Sequence, residues 1–148
     1  CKIIFEPGRY IVGNAGLLVT KVIYKKSGEK KDFVILDCAM NDFFRPALYG
    51  ANHRIIPLKK KFGKILVDIV GPVCETTDTF LKDHKFDDIA EGDFCAFMDV
   101  GAYGAVLSSE YNSRPLIPEV MVSRSEFHVV RKRPSFEDMI ERESMPEW

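Results

Sequence analysis

The chain has 148 residues, with 21 lysines and arginines against 22 aspartates and glutamates, and 46% of its residues are hydrophobic. This length predicts one domain with an ordinary core. The balanced charge argues against a nucleic-acid or membrane-surface partner held by bulk charge. No stretch approaches the ~20 apolar residues of a spanning helix, and no signal segment opens the chain.

The four cysteines form no CxxC pair, and the three histidines add no ligand spacing to them. We therefore expect no metal site. Without a secretion signal, the cysteines are predicted to be reduced thiols in the cytoplasm.

Short apolar stretches that alternate or carry β-branched residues predict a mainly β fold. In chain order, strands are predicted at 2–5, 18–26, 32–38, 53–58, 64–73, 93–100, 119–126 and 127–133. Clusters of Gly, Pro, Asp or Lys separate them. Their number and spacing are typical of a β-sandwich or barrel.

The predicted helices are few and short. They lie at 10–18, 45–49, 78–83 and 135–143. In the second, Pro46 suits the first turn and Gly50 is a natural stop. Before the last, Ser135 with Asp138 approximates a capping box.

The first polar segment between these elements is EPGR, residues 6–9. Gly8 would let backbone N–H groups approach an anion, and Arg9 adds a planar fork of donors. A plain turn with a solvated arginine explains the segment equally well.

The second is NDFFRPALYGANH, residues 41–53. Arg45 and Tyr49 are four residues apart, which puts both on one side of a helical turn. Arg45 suits a carboxylate, and Tyr49 can donate a further hydrogen bond. A surface turn with Phe43 and Phe44 packed inward is the simpler interpretation.

The third is GPVCETTD, residues 71–78, where Cys74 stands beside Glu75. A cysteine side chain could donate a proton or serve as a nucleophile, and the carboxylate could hold a substrate ammonium. The alternative is that Cys74 is a small buried hydrophobic residue, the usual fate of a free cysteine.

The fourth is the segment 99–115, in which Gly101 and Gly104 bracket Tyr103. The glycines allow a sharp turn of the backbone that would present the tyrosine ring. Packing at a rim or a hydroxyl in the core would explain the tyrosine as well.

Taken in order, the four segments resemble the C-terminal part of the diaminopimelate decarboxylases, which are pyridoxal-phosphate-dependent decarboxylases with an alanine-racemase-like fold. The resemblance runs from about residue 4 to the closing RPSFEDMIERESMPEW, which looks bacterial. It implies that residues 1–16 are the remnant of the last strand and exit loop of an N-terminal β/α barrel. Residues 17–148 would then form a C-terminal β-sandwich or barrel domain.

The start at Cys1, without a methionine, agrees with a fragment, and a processed start is the alternative. The implied barrel carries the lysine that binds the cofactor and is absent from this chain. The resemblance therefore implies that the fragment alone is inactive.

The resemblance also implies a role for each polar segment. The implied cofactor-binding residues are Glu6, Pro7, Gly8, Arg9 and Tyr103, and the implied substrate-binding residues are Arg9, Arg45, Tyr49, Glu75 and Tyr103. Arg45 and Tyr49 would hold the distal carboxylate of the substrate, and Glu75 its distal ammonium. Cys74 would be the catalytic thiol, offered across a dimer interface to the cofactor of the partner.

The implied reaction converts meso-2,6-diaminopimelate to L-lysine and CO2 with pyridoxal 5'-phosphate, as the last step of bacterial lysine biosynthesis in a cytoplasmic homodimer with shared active sites. A related ornithine or arginine decarboxylase is an alternative, but it should not need an Arg45–Tyr49 clamp for a second carboxylate. Ornithine enzymes of this family typically carry Asp where Glu75 stands. A non-catalytic β domain that serves dimerisation is the other alternative.

Overall fold

The structure, a computed structural model, describes residues 1–148. The strands are β1 (Leu18–Ser27), β2 (Asp32–Leu36), β3 (Ile55–Pro57), β4 (Lys64–Val70), β5 (Thr79–Asp87), β6 (Phe94–Phe97), β7 (Glu119–Ser123) and β8 (Glu126–Arg131). The helices are α1 (Arg45–Tyr49) and α2 (Phe136–Ile140), and 3-10 turns lie at Gly13–Ala15, Ala105–Leu107 and Tyr111–Ser113. The prediction of a mainly β fold with short helices is confirmed.

The chain divides into two compact units, residues 1–108 and 109–148. The predicted boundary between residues 16 and 17 concerns a preceding barrel, and it stays a prediction. None of the helices is both long enough and apolar enough to cross a membrane.

The first unit is built on a six-stranded sheet in the order β3-β6-β1-β2-β4-β5. All neighbours are antiparallel except β2 and β4. Along β1, Leu18, Thr20 and Val22 are buried while the residues between them are exposed, as the two-residue period of a strand requires.

The sheet curls so that its far ends approach each other. Phe80 lies on the edge strand β5, yet its ring meets that of Phe97 on β6 with centroids 4.7 Å apart. Phe97 also contacts Phe43, which precedes α1, at 5.9 Å. These three buried rings hold the segment that leads into α1 against strand β6 of the curved sheet.

Three predicted elements have a different type of backbone structure from the one expected. Residues 2–5 are not a strand, because they have no partner strand, and Ile3, Ile4 and Phe5 are exposed. The predicted helix at 10–18 is only the 3-10 turn Gly13–Ala15, because the backbone at Gly16 is extended and pairs with Val100.

The predicted helical turn at 78–83 is wrong, because these residues open strand β5. Thr79 pairs with Val70 and Leu81 with Ile69 of β4. Pairing with a neighbouring strand therefore overrides the weak local preference of this short stretch.

The second unit contains the antiparallel hairpin β7–β8 and helix α2. Arg131 and Glu119 form an ion pair across the hairpin at 3.0 Å. The capping box is confirmed: Ser135 Oγ accepts from the Asp138 N–H at 3.1 Å, and the Asp138 carboxylate accepts from the Ser135 N–H at 2.7 Å. Helix α2 nevertheless ends at Ile140, earlier than predicted.

Candidate functional site

Two backbone segments approach closely beside the predicted site. The N–H of Gly101 donates to the Gly13 carbonyl at 2.9 Å, and the N–H of Val100 donates to the Gly16 carbonyl at 3.0 Å. A Cβ added at Gly101 would overlap the carbonyl oxygen of Val12. Only glycine therefore lets the loop after β6 lie this close to the segment that follows EPGR.

This approach brings Tyr103 to the EPGR segment. Tyr103 has a left-handed backbone with φ 57°, a conformation that is uncommon for any residue other than glycine. Its hydroxyl lies so close to Gly8 that an added Cβ there would come within 3.2 Å of it. Arg9 is held to the same loop, because its Nη2 donates to the Asp99 carbonyl at 3.4 Å.

Arg45 lies between two tyrosine rings. Its guanidinium carbon is 5.4 Å from the ring centroid of Tyr49 and 5.9 Å from that of Tyr103, distances at which the ring faces attract a cation. Its Nε is buried without a hydrogen-bond partner, and no ion pair within this chain neutralises the side chain. Helix α1 ends at Gly50, whose φ of 62° stops the helix directly after Tyr49.

His53 was not predicted to belong to the site, although the sequence places it just after α1. It is buried, and its Nδ1 lies 3.0 Å from the Met98 carbonyl. Since a carbonyl only accepts, Nδ1 carries the proton. Burial lowers the pKa of His53, and the charges of Arg9 and Arg45 lower it further against the opposing Met98 carbonyl. His53 is thus a neutral link between the end of α1 and the start of the Tyr103 loop.

Cys74 and Glu75 lie in the loop between β4 and β5, and both are exposed. The alternative that Cys74 is a buried hydrophobic residue is therefore wrong. The loop is held by Asp78, which was not among the predicted site residues. Asp78 is buried, and its Oδ2 accepts from the Val73 N–H at 2.8 Å.

The predicted site residues thus fall into two groups. The first is the arginine–tyrosine cluster, made of Arg9, Arg45, Tyr49 and Tyr103, with Gly8 beside it. The second is the thiol loop, residues 71–78, which carries Cys74 and Glu75. No hydrogen bond, ion pair or ring contact joins Cys74 or Glu75 to the cluster within this chain. Glu6 and Pro7 are exposed and make no such contact with it either.

Acidic, cysteine and histidine side chains nowhere gather in groups of three suited to a metal ion. The cluster offers guanidinium and phenol donors instead. Such groups can bind carboxylates and phosphates, so the cluster is chemically suited to hold an anion.

The family model described as the C-terminal sheet domain of pyridoxal-dependent decarboxylases matches residues 9–101. This match covers more than half of the chain. The chain belongs to the pyridoxal-dependent decarboxylase family. The matched range includes three of the four cluster residues and the whole thiol loop, and Tyr103 lies just beyond it.

Individual members of the pyridoxal-dependent decarboxylase family are similar over nearly the whole chain. The diaminopimelate decarboxylase of Zymomonas mobilis is 48% identical over 148 residues, which is 100% of this chain and 35% of that protein. This chain therefore spans about a third of the length of its relative.

Solved structures of family members are also similar to nearly the whole chain. The diaminopimelate decarboxylase of M. jannaschii has a TM-score of 0.91 at 39% identity, covering 95% of this chain and 32% of that one. The Helicobacter pylori enzyme, solved in complex with L-lysine, has a TM-score of 0.86 at 45% identity, covering 93% and 34%.

Proposed function

We propose that this chain is the C-terminal domain of a diaminopimelate decarboxylase, which removes CO2 from meso-2,6-diaminopimelate and leaves L-lysine. The names of the similar proteins support this substrate. The observation that carries the proposal is the position of Arg45, a partly buried arginine between two tyrosine rings with no acidic partner in the chain. Such a cation is suited to a carboxylate that arrives with a substrate.

Diaminopimelate is an amino acid at both ends, so one end must be held while the other reacts. The planar fork of Arg45 can bind the distal carboxylate through two parallel hydrogen bonds. The hydroxyl of Tyr49 lies on the same turn and can add a third donor. Glu75 of the thiol loop provides the charge that complements the distal ammonium. An ornithine or arginine decarboxylase would not need the contact between Arg45 and a distal carboxylate, because its substrate has no second carboxylate.

The residues beside the cluster fit a phosphate group. Gly8 leaves open backbone next to the Tyr103 hydroxyl, and Arg9 supplies a full positive charge. We propose that Glu6, Pro7, Gly8, Arg9 and Tyr103 bind pyridoxal 5'-phosphate. When bound, this cofactor takes up the electron pair that the loss of CO2 leaves on the substrate carbon.

The reaction breaks the bond between the substrate carbon and its carboxylate, releases CO2 and adds one proton to that carbon. We propose that the exposed thiol of Cys74 donates this proton. Cys74 makes no contact with the cluster of its own chain. This supports a homodimer in which each thiol loop serves the active site of the partner, and the free thiols agree with a cytoplasmic protein.

The test uses the full-length protein loaded with pyridoxal phosphate. Release of CO2 and formation of the amine product are measured with meso-diaminopimelate, ornithine and arginine in parallel. Turnover of diaminopimelate alone supports the proposal. A preference for ornithine or arginine contradicts it, and no turnover of any of the three would favour the non-catalytic alternative.

A further inference from the structure

Asp78, the last residue of the thiol loop, is a deeply buried carboxylate with 2% of its surface exposed. One oxygen, Oδ2, accepts from the N–H of Val73, directly before Cys74, at 2.8 Å. A Cβ on Gly71 would overlap the Asp78 carboxylate, so the loop is folded around this group. The backbone N–H of Gly71 also donates to the Asp78 carbonyl at 2.9 Å, which closes the base of the loop.

The other oxygen of Asp78 reaches a different part of the chain. Oδ1 accepts from the N–H of Met40 at 2.7 Å. Met40 lies in the turn between β2 and α1, where Asp42 Oδ2 also accepts from the Ala39 N–H at 2.8 Å. This turn leads through the buried Phe43 to Arg45 at the start of α1.

A single carboxylate therefore joins the two elements that carry the predicted binding residues. Hydrogen bonds to an ionised acceptor are about twice as strong as neutral ones. Leaving a buried N–H without its acceptor lowers the free energy of unfolding by more than the hydrogen bond contributed. Because both oxygens are used at once, Asn at this position would turn an amide NH2 toward one of the two N–H groups, and Ala would leave both without this acceptor.

We propose that Asp78 is a positioning residue that sets the thiol loop and the turn before Arg45 in one joint arrangement, so that Cys74 and Arg45 are placed together. The roles of Cys74 and Arg45 rest on the proposed function, whereas the link between the two segments does not. Asp78 itself touches neither the substrate nor the cofactor in this scheme.

The link is tested by amide hydrogen exchange in the full-length protein, resolved at Met40 and Val73. In Asp78→Asn, the amide that faces the new NH2 group should exchange roughly tenfold faster or more, since the loss of a hydrogen bond to a charged group is worth at least this factor. The other amide should exchange faster by a smaller factor, because it keeps only a neutral acceptor. Asp78→Ala should speed the exchange of both amides more than Asp78→Asn does. Because Asp78→Asn keeps the volume of the side chain, the test does not depend on whether Asp78→Ala folds.

Asp68→Asn is the matched control. Asp68 is also a buried carboxylate, and it accepts from the Asp83 N–H at 2.8 Å and pairs with Lys31 at 2.9 Å. Its substitution should speed exchange at Asp83 and leave Met40 and Val73 unchanged. Faster exchange at only one of Met40 and Val73 in Asp78→Asn, or an equal response of both to Asp68→Asn, would overturn the proposed link.

Steady-state kinetics test the positioning role separately. Asp78→Asn should lower kcat and also raise KM for diaminopimelate, because it displaces both Cys74 and Arg45. Asp68→Asn should change neither by more than about twofold. If the exchange results hold but the wild-type protein does not act on diaminopimelate, the proposed function fails and the link stands. If the wild type is active and Asp78→Asn matches it, the positioning role is wrong.

Discussion

The guanidinium carbon of Arg45 lies 5.9 Å from the centre of the Tyr103 ring, although one residue begins α1 and the other follows β6. Tyr103 in turn has its hydroxyl beside Gly8. One tyrosine thus connects the residues proposed to bind the distal end of the substrate with those proposed to bind the cofactor phosphate. We therefore expect substitutions of different site residues to change the kinetics in different ways.

If the proposed function holds, Arg45→Ala in the full-length protein should lower kcat/KM for diaminopimelate severely. Truncating one partner of a desolvated, hydrogen-bonded charge pair costs about 2–5 kcal/mol, which is roughly 30-fold or more. Arg45→Lys should restore only part of the loss, because an ammonium lacks the planar fork. Arg54→Ala removes an exposed arginine nearby and is the matched control, expected to stay within about twofold of the wild type. Unchanged kcat/KM in Arg45→Ala would contradict the assignment of the clamp.

Cys74→Ala and Glu75→Gln should differ in their kinetic signatures, although the two residues are adjacent. Loss of a proton donor should lower kcat by about 10²–10⁴-fold with little change in KM. Loss of ammonium binding should appear mainly in KM, because the substrate and the transition state lose that contact equally. Initial-rate measurements over a range of diaminopimelate concentrations separate the two. A Cys74→Ala variant with wild-type kcat would exclude the thiol as the proton donor.

Mixed dimers test whether the thiol loop serves the partner. Cys74→Ala subunits are mixed with subunits in which the cofactor lysine expected in an N-terminal barrel is replaced. If the active sites are shared, one site of each hybrid receives an intact lysine from one chain and an intact thiol from the other, and activity returns. Hybrids that form but stay inactive would show that Cys74 acts within its own subunit or has no catalytic role.

The four free cysteines should separate into two classes of reactivity. Cys1 and Cys74 are exposed, whereas Cys38 and Cys95 are buried. Burial raises the pKa of Cys95 to about 12 and that of Cys38 well above its ordinary value, so both remain protonated and inaccessible. Alkylation at about pH 8, followed by peptide mass spectrometry, should modify Cys74 in the native protein and Cys38 and Cys95 only after unfolding. Rapid native modification of Cys95 would contradict the buried position of β6.

His53 should make stability depend on pH in the mildly acidic range. Burial, with the charges of Arg9 and Arg45, lowers the pKa of His53 below its ordinary value of 6.5. Between the lowered pKa and 6.5 the unfolded chain binds more protons than the folded one, so the free energy of unfolding rises with pH across this window. Below the window both states are protonated, and the contribution of this residue becomes constant.

An NMR titration of the His53 ring gives the direct measurement, and a midpoint at or above 6.5 would contradict the prediction. Denaturant unfolding at a series of pH values supplies the stability profile. His53→Gln cannot bind the proton, yet its amide can still donate to the Met98 carbonyl. This variant should therefore show a smaller slope across the same window.

Local patterns of the sequence determined much of the first unit and the end of the second. Alternation along residues 18–26 predicted β1 because strand side chains point to opposite faces with a period of two. The four-residue spacing of Arg45 and Tyr49 predicted their shared side because one helical turn spans about that distance. Ser135 and Asp138 predicted the start of α2, since a capping box involves only residues three apart. Each of these predictions depends on neighbours within a few positions.

Tertiary structure decided what depends on partners far along the chain. Residues 78–83 are a strand because β4 pairs with them, and residues 2–5 are not, because no strand does. Nothing in the sequence near Tyr103 shows that its ring covers Arg45, and nothing near Asp78 shows that its carboxylate reaches Met40. Hydrogen bonds and ring contacts of this kind form only after the sheet has curled, so no local period encodes them. The sequence alone therefore named the residues suited to bind an anion, and the curled sheet decided which of them meet.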